Sequence, residues 1–312
     1  MVVAAAARAV LRRRAARGRN LRILVTGRQG QLARALAEAS EADGAIQLLF
    51  AGRPHVDLEQ PGQLAAAIKA AAPDLVINAA AYTEVDRAED EPKRAMRVNG
   101  AAAGEAAEAA RAAGAPIIQI STDYVFDGQG SGAWREEARV GPLSVYGRTK
   151  LAGEEAVRGV SPDHLIVRTA WVYSSWGRNF VRTMLGAAAQ RDTLTVVDDQ
   201  VGSPTSAVDL AGALLTAGRR ALRGEGLGRT YHCAGSGETS WFGFATEIMR
   251  TAREAGLPTA AVEPVPSSRW PTKAVRPRNS VLDSRRFAET FGVRLPEWQE
   301  SVAAVVGRLA TA

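Results

Sequence analysis

The sequence predicts an α/β protein with a doubly wound parallel sheet and a smaller, less regular C-terminal region. Two observations lead to this class. Between residues 21 and 170, short apolar runs alternate with segments that repeat alanine and leucine at helical spacing, and beyond residue 170 this alternation becomes irregular. Alternating strands and helices place parallel strands side by side and bury them on both faces through right-handed crossovers.

The elements follow in order from these patterns. The first strand, Arg22–Thr26, ends at a glycine turn, and the first helix extends from Gln31 to about Ser40. The other predicted strands are Gln47–Ala51, Asp74–Asn78, Pro116–Ile120 and His164–Arg168. The other predicted helices are Gln63–Ala71, the alanine-rich Pro92–Ala113, and a segment around 145–158. Proline- and glycine-containing connections at 202–204, 224–228 and 264–277 mark the irregular region.

The positive charge of the chain is concentrated at its N-terminus. Residues 1–22 contain seven arginines and no acid, which exceeds the net charge of +6 of the whole chain. The rest is near neutral, so we expect no nucleic-acid partner. The tail at 1–20 is alanine- and arginine-rich like a transit peptide but lacks serine, and a solvated tail or a start assigned too far upstream explains it more simply.

Composition also bears on location and partners. No apolar run approaches the roughly 20 residues that a spanning helix needs, so no membrane segment is expected. The single cysteine, Cys233, excludes an intramolecular disulfide and fits a reducing cytoplasm. The histidines have no metal-ligand spacing, so no metal ligand is assigned; a bound Mg²⁺ and a homodimer both stay open.

A glycine turn follows the first strand and begins the first helix. Glycine lets the backbone turn tightly and approach a pyrophosphate, which the free N–H groups of a helix N-terminus then bind. In this context the turn predicts nucleotide binding, whereas the alternative is an ordinary strand-to-helix connection. The residues assigned to the cofactor here are Gly27, Arg28, Gly30, Gln31 and Leu32.

The end of the second strand bears on which cofactor binds. NAD-binding proteins usually place an acid there for the ribose, but this chain has Ala51-Gly52-Arg53. Arg53, with Arg28, can instead pair with a 2′-phosphate, which favours NADPH, although NADH stays possible because either arginine can equally be a solvated surface residue. Further cofactor contacts are predicted at Asp57, Leu58, Ala79, Ala80 and Ala81.

Tyr146 and Lys150 are predicted to share one face of a helix, because they stand four residues apart. A nearby ammonium favours the phenolate and makes the phenol proton easier to transfer. Tyr-x-x-x-Lys alone usually marks a solvated helix face. Here it follows both the glycine turn and Ser121-Thr122-Asp123-Tyr124, whose hydroxyls come just after a predicted strand.

Taken together, these motifs resemble those of the dTDP-4-dehydrorhamnose reductases, a family of extended short-chain dehydrogenases with a Rossmann-type sheet. The resemblance covers about residues 21–305. It rests on the glycine turn, Asn78-Ala-Ala-Ala81, Ser121-Thr-Asp-Tyr-Val-Phe-Asp127, Tyr146-Gly-Arg-Thr-Lys-Leu-Ala-Gly-Glu154, Arg168-Thr-Ala-Trp-Val-Tyr173 and Arg276-Pro-Arg-Asn-Ser280.

The resemblance implies hydride transfer from NAD(P)H to the C4 ketone of dTDP-4-dehydro-L-rhamnose, giving dTDP-L-rhamnose. It implies that Tyr146 protonates the ketone oxygen, that Thr122 hydrogen-bonds this oxygen, and that Lys150 binds the nicotinamide ribose and lowers the tyrosine pKa. Asp123 and Trp171 would contact the sugar. Residues 21–170 would form the cofactor-binding domain, and 171–312 mainly the substrate-binding region, with some elements returning to the sheet.

Three more residues are candidates for substrate binding. Asn179 follows Trp176-Gly177-Arg178 and is expected to line the substrate cleft, whereas Arg276 and Asn279 lie in a proline-flanked loop that can meet the pyrophosphate. For this loop the alternative is a structured turn, and for Trp171 it is a core aromatic. Thymine and uracil are both compatible with these residues as the base.

Two other functions compete with the reductase. One is a non-catalytic NADP-binding regulatory subunit, like the β-subunit of methionine adenosyltransferase; Tyr146, Lys150 and Thr122 together favour the enzyme. The other is a related nucleotide-sugar reductase, epimerase or dehydratase. Epimerases and dehydratases usually carry three glycines in the turn and an acid after the second strand, and this chain has neither.

Overall fold

A computed structural model describes residues 20–311, so the basic tail predicted at 1–20 lies, apart from Asn20, outside the described residues. Six parallel strands form the central sheet, in the order β10-β5-β4-β3-β1-β2. These strands are β1 (Leu21–Thr26), β2 (Ile46–Ala51), β3 (Leu75–Asn78), β4 (Ile117–Thr122), β5 (His164–Thr169) and β10 (Arg229–His232). The five predicted strands are confirmed to within one or two residues at each end.

Short strands lie outside this sheet, in three pairs. They are β6 (Val172–Tyr173) with β9 (Thr205–Ser206), β7 (Thr193–Val197) with β12 (Ala261–Val265), and β8 (Val201–Gly202) with β11 (Thr239–Ser240). All six come from the part of the chain after residue 170. The irregular pattern of the sequence there corresponds to these two- to five-residue strands.

The α-helices surround the sheet and build the C-terminal region. They are α1 (Gln31–Glu41), α2 (Gln63–Ala71), α3 (Val85–Ala88), α4 (Pro92–Met96), α5 (Ala102–Ala112), α6 (Val145–Val160), α7 (Phe180–Ala188), α8 (Ala207–Leu222), α9 (Trp241–Glu254), α10 (Arg285–Phe291) and α11 (Trp298–Ala310). In the described part of the chain, no helix is long and apolar enough to cross a membrane.

The predicted helix over Pro92–Ala113 is interrupted. A π-helical turn at Arg97–Ala101 separates α4 from α5. Within it, the side chain of Asn99 accepts from the N–H of Tyr82 at 2.8 Å and donates to the hydroxyl of Thr149 at 3.0 Å. These hydrogen bonds of the Asn99 side chain connect the π-helical turn to two neighbouring segments. They do not change the spacing of apolar residues from which a helix is predicted, so the interruption could not be predicted.

Separate apolar cores cover the two faces of the sheet. One packs α1, α8 and α10 against it and includes Leu36, Leu214 and Phe287, and the other packs α2, α5 and α6 and includes Ile68 and Ala106. A further core, formed among α7, α9 and α11, lies in the C-terminal region. The protein is thus a doubly wound α/β structure, as predicted, with β10 supplied by the later part of the chain.

Candidate active site

A cleft of about 1380 Å³ extends along the carboxyl ends of β1 to β5, between the sheet and the C-terminal elements. This is where doubly wound sheets bind their ligands. The volume exceeds the roughly 300–1,000 Å³ of a pocket for one small molecule. The cleft therefore has room for two ligands that meet.

The predicted glycine turn forms one wall of the cleft. Gly27 has a φ of 80°, and Gly30 stands before the first residue of α1 with no side chain capping the helix. The free N–H groups at the start of this helix lie beside Arg28 and Leu32, which line the cleft. These N–H groups and the positive end of the helix dipole suit an anion. Gln31 also lines the cleft, but its side-chain oxygen accepts from Ser174 and Asn179, at 2.8 and 3.0 Å, and so ties the turn to the C-terminal region.

Gly52, for which no role was predicted, makes the turn possible. A Cβ on Gly52 would lie 3.0 Å from Cα of Gly27, so the loops after β1 and β2 pass each other at backbone distance. Arg28 and Arg53 line the cleft beside this crossing, and both are exposed. Within residues 20–311, neither forms an ion pair with another residue, so both guanidinium groups are available to an anionic ligand.

The next two predicted contacts lie on the same side of the cleft. Asp57 accepts from the N–H of Glu59 at 3.0 Å, and Leu58 is buried below it. Ala79, Ala80 and Ala81 follow β3 and expose only backbone and methyl groups to the cleft. This end of the cleft thus presents small side chains and backbone, against which a flat, extended ligand can lie.

Tyr146, Lys150, Thr122 and Asp123 come together at the other end of the cleft. Ser144 caps α6 by accepting from the N–H of Gly147 at 3.1 Å, which places Tyr146 in the first turn. A Cβ on Gly147 would lie 2.2 Å from the carbonyl oxygen of Tyr124, so α6 rests directly on the segment after β4. This close contact brings the phenol next to Thr122.

Burial dominates the ionisation of these groups. It raises the pKa of Tyr146 to about 12, with a hydrogen bond between the phenol and the Thr122 hydroxyl acting to lower it and the Asp123 charge to raise it. Burial lowers the pKa of Lys150 to about 8, although the Glu154 carboxylate acts to raise it. Burial also raises the pKa of Asp123 to about 6, despite a hydrogen bond from the Thr122 hydroxyl at 2.8 Å.

Burial therefore outweighs the lowering of the Tyr146 pKa that we expected from Lys150. The Lys150 ammonium donates to the carbonyl oxygen of Ile120 at 2.6 Å, which anchors it on β4. Its effect is therefore first on geometry: it holds α6 against the sheet at the level of the reacting groups.

Trp171 lines the cleft with an unusual backbone. Its φ is 46°, a conformation that costs a bulky residue about 1–3 kcal/mol and that the surrounding structure must therefore enforce. Its indole stacks on that of Trp241 with ring centroids 3.4 Å apart and planes within 5°. Trp171 thus packs against another aromatic ring and also lines the cleft.

Residues 21–311 match the family profile described as RmlD substrate binding domain. A dTDP-4-dehydrorhamnose reductase of Sinorhizobium fredii is 45% identical over 93% of this chain and 98% of its own length. The chain belongs to the dTDP-4-dehydrorhamnose reductase family. The predicted resemblance is confirmed, and the chain is an oxidoreductase.

Solved structures of this reductase family agree in fold. The enzyme of Clostridium acetobutylicum superposes with a TM-score of 0.86 at 36% identity, over 93% of this chain and 99% of its own. The enzyme of Bacillus anthracis, solved in complex with NADP, superposes with a TM-score of 0.85 at 31% identity, over 92% of this chain and 98% of its own. The Rossmann-type reductase architecture is therefore shared over nearly the whole chain.

The remaining three predicted residues differ in how they meet the cleft of this reductase. Asn179 lines it, but both ends of its amide are engaged: it caps α7 and donates to Gln31. Arg276 lines the cleft and pairs with Asp86 at 2.8 Å. Asn279 does not line the cleft. Its amide nitrogen donates to the carbonyls of Gly130 and Gly132 and so stabilises a loop, which agrees with the alternative of a structured turn.

A buried ion pair lies behind the reacting groups and was not predicted. Both nitrogens on one edge of Arg168 bind the carboxylate of Glu154 at 2.7 and 2.8 Å, and the hydroxyl of Ser121 donates to it at 2.5 Å. Glu154 stands one helical turn after Lys150, and Arg168 interrupts an apolar strand. An acidic residue on the same helix face as Lys150, together with an arginine inside an apolar strand, is the sequence signal from which the pair could have been predicted.

Proposed function

We propose that this protein reduces the C4 ketone of dTDP-4-dehydro-L-rhamnose to dTDP-L-rhamnose with NADPH, and that Tyr146 donates the proton. The observation that carries the proposal is the meeting of Tyr146, Thr122 and Lys150 at one end of a cleft whose other end is built for a dinucleotide. The names of the most similar relatives support the substrate.

The loops after β1, β2 and β3 fit the cofactor. The uncapped start of α1 after Gly30 suits the pyrophosphate, and the backbone crossing of Gly27 and Gly52 leaves no side chain in its way. Arg28 and Arg53, whose guanidinium groups have no ion-pair partner within residues 20–311, suit the 2′-phosphate that distinguishes NADPH from NADH. The NADP bound by the Bacillus anthracis relative supports this assignment.

When bound, NADPH supplies the hydride that reduces the ketone carbon. The ketone oxygen then gains negative charge, and the Tyr146 phenol delivers its proton to that oxygen. A buried phenol is a weak acid, which suits a donor that must keep its proton until the oxygen has become basic. Lys150, anchored on β4 through the Ile120 carbonyl, orients α6 and offers its ammonium to the nicotinamide ribose.

Thr122 and Asp123 act on the sugar side of the reaction. The Thr122 hydroxyl lies beside the phenol of Tyr146 and donates a hydrogen bond to the carboxyl of Asp123 at 2.8 Å. When the sugar binds, the hydroxyl donates this hydrogen bond to the ketone oxygen instead. Asp123 also lines the cleft, and its buried carboxyl is held between the Thr122 and Ser280 hydroxyls, so a sugar hydroxyl that reaches it meets an oriented acceptor. Trp171 supplies an apolar wall to the same subsite.

The proposal is tested by mixing the purified protein with NADPH and dTDP-4-dehydro-L-rhamnose and following the absorbance of the reduced cofactor. We expect substrate-dependent oxidation of NADPH, with dTDP-L-rhamnose identified as the product by mass spectrometry and proton NMR. NADPH binding without oxidation would instead support the non-catalytic regulatory subunit. Oxidation with other nucleotide-linked ketosugars at equal rates would assign the protein to a broader class of reductases.

A further inference from the structure

Three independent features hold the indole of Trp171 in place. Its backbone adopts the left-handed φ of 46°. The Trp241 indole stacks on it at 3.4 Å between ring centroids. Gly202 approaches its edge so closely that a Cβ there would lie 2.4 Å from Cε2 and 2.7 Å from Nε1 of the indole. The ring is thus in contact on one face with Trp241 and along its edge with Gly202.

The small strands of the C-terminal region bring these residues together. Trp171 precedes β6, and its carbonyl accepts from the N–H of Thr205 in the paired strand β9 at 3.3 Å. Gly202 lies in β8 opposite Thr239 of β11, and Trp241 begins α9 two residues later. These two-residue strand pairs thus place Trp171, Gly202 and Trp241 side by side.

The φ of Gly202 lies outside the left-handed region, so other residues could adopt its backbone conformation. Glycine is therefore required here by the nearby indole and not by the backbone. The absence of a side chain at Gly202 provides room for the edge of the Trp171 ring. A methyl group at this position would displace the ring from its present place in the wall of the cleft.

We propose that Gly202 and Trp241 are positioning residues that fix the Trp171 indole as a rigid wall for the sugar of the nucleotide substrate. This inference rests on the proposed function, because it takes the ligand at that wall to be the nucleotide-linked sugar. Neither Gly202 nor Trp241 lines the cleft. Both act on the substrate through the indole.

The test is Gly202→Ala, measured by steady-state oxidation of NADPH. We expect the KM for dTDP-4-dehydro-L-rhamnose to rise about tenfold, as for the loss of one good contact. The Kd of NADPH, whose site is formed by other loops, should not change. Gly186→Ala in α7 is the matched control, because a Cβ there meets nothing within 4 Å, and it should leave the KM unchanged.

A double-mutant cycle separates positioning from general damage. Trp171→Phe shortens the ring and provides room for the methyl group. In this background, Gly202→Ala should raise the KM less than about twofold. The same rise in both backgrounds, or no rise in the wild-type background, overturns the proposal.

A spectroscopic readout keeps this inference distinct from the proposed function. Stacked indoles produce an exciton couplet in circular dichroism, which Trp241→Phe should abolish and Gly202→Ala should weaken. If the wild-type protein oxidises no NADPH, the proposed function fails, and an unchanged couplet in Gly202→Ala then separately overturns the positioning. If Gly202→Ala does not fold, Trp241→Phe replaces it, and an unchanged KM in that variant overturns the proposal.

Discussion

The two ends of the cleft differ in the types of residue that form them. The cofactor end, after β1 to β3, consists of glycine and alanine backbone with exposed arginines at its rim. The reaction end, after β4 and β5 and on α6, consists of buried titratable side chains, among them Asp123, Lys150 and Glu154. The first end binds through shape and free N–H groups, whereas the second depends on the balance of buried charges. Substitutions should therefore have different consequences at the two ends.

The largest effect is expected from Tyr146→Phe, which removes the proposed proton donor at the reaction end. We expect kcat to fall by about 10²–10⁴-fold, the usual contribution of general acid catalysis. The Kd of NADPH, measured by fluorescence titration, should change little, because the cofactor end is untouched.

Tyr231→Phe is the matched control, since that phenol is buried in the core and donates to the carbonyl of Gly226. It should leave kcat unchanged even if it lowers stability. Full activity in Tyr146→Phe would remove the proton-donor assignment without affecting membership of the family.

Glu154→Gln should have the largest effect on stability. The side chains of Glu154 and Arg168 are 0% and 4% exposed, so the substitution leaves the Arg168 guanidinium charged and without its partner in the interior. Removing one partner of a buried pair costs about 3–5 kcal/mol of the free energy of unfolding. Urea denaturation measures this loss.

The control for this variant is Arg158→Ala. Arg158 also pairs with Glu154, at 3.3 Å, but its side chain is 44% exposed. Its loss should cost less than about 1 kcal/mol. Equal losses in the two variants would mean that burial of the pair is unimportant.

Asp123→Asn tests the charge balance of the reaction end through pH. Burial raises the Asp123 pKa to about 6, whereas an aspartate in the unfolded chain titrates near about 3.9. Between these values the folded protein holds more protons than the unfolded chain, so stability falls as the pH rises.

The amide that replaces the Asp123 carboxyl in this variant does not titrate. The stability of the wild-type protein relative to the variant should therefore fall by about 2 kcal/mol between about pH 4 and pH 7. Urea denaturation of both proteins at each pH gives this difference. A difference that is constant over this range would show that Asp123 titrates as it does in water.

The smallest effect is expected from Arg53→Ala at the cofactor end. Loss of one charge-assisted contact at an exposed position should reduce the preference for NADPH over NADH about tenfold, which corresponds to about 1.4 kcal/mol. The ratio of kcat/KM for the two cofactors measures this change, and Arg34→Ala, on α1 outside the cleft lining, serves as the control. An unchanged ratio would leave Arg28, or no arginine, as the determinant.

Features that depend on neighbouring residues could be predicted from the sequence, whereas features that depend on contacts between distant residues could not. A glycine that must adopt a positive φ after a buried strand is a local signal, so the turn at Gly27 and the five strands before residue 170 could be predicted. Gly52 could not, because its requirement arises from the approach of Gly27, which is distant in sequence.

At the reaction end, the order of the motifs was enough to associate Thr122, Tyr146 and Lys150, but not to give their ionisation. The pKa of each depends on burial, and burial is decided by elements far along the chain. The loop contacts of Asn279 could not be predicted for a similar reason: whether its amide faces a ligand or the carbonyls of a loop is fixed by tertiary contacts. The π-helical turn at Arg97–Ala101 likewise depends on partners of Asn99 that the helical pattern does not reveal.

The edge strand β10 has a consequence for how the protein is made. It pairs with β5, and Tyr231 within it contacts Phe287 and Phe291 of α10, so the last strand of the sheet and its cover come from the final third of the chain. Synthesis proceeds from the N-terminus at about 5–20 residues per second. Until β10 has been made, β5 is therefore an open edge of the nascent sheet, and we expect the growing chain to be most prone to wrong strand pairing during this interval.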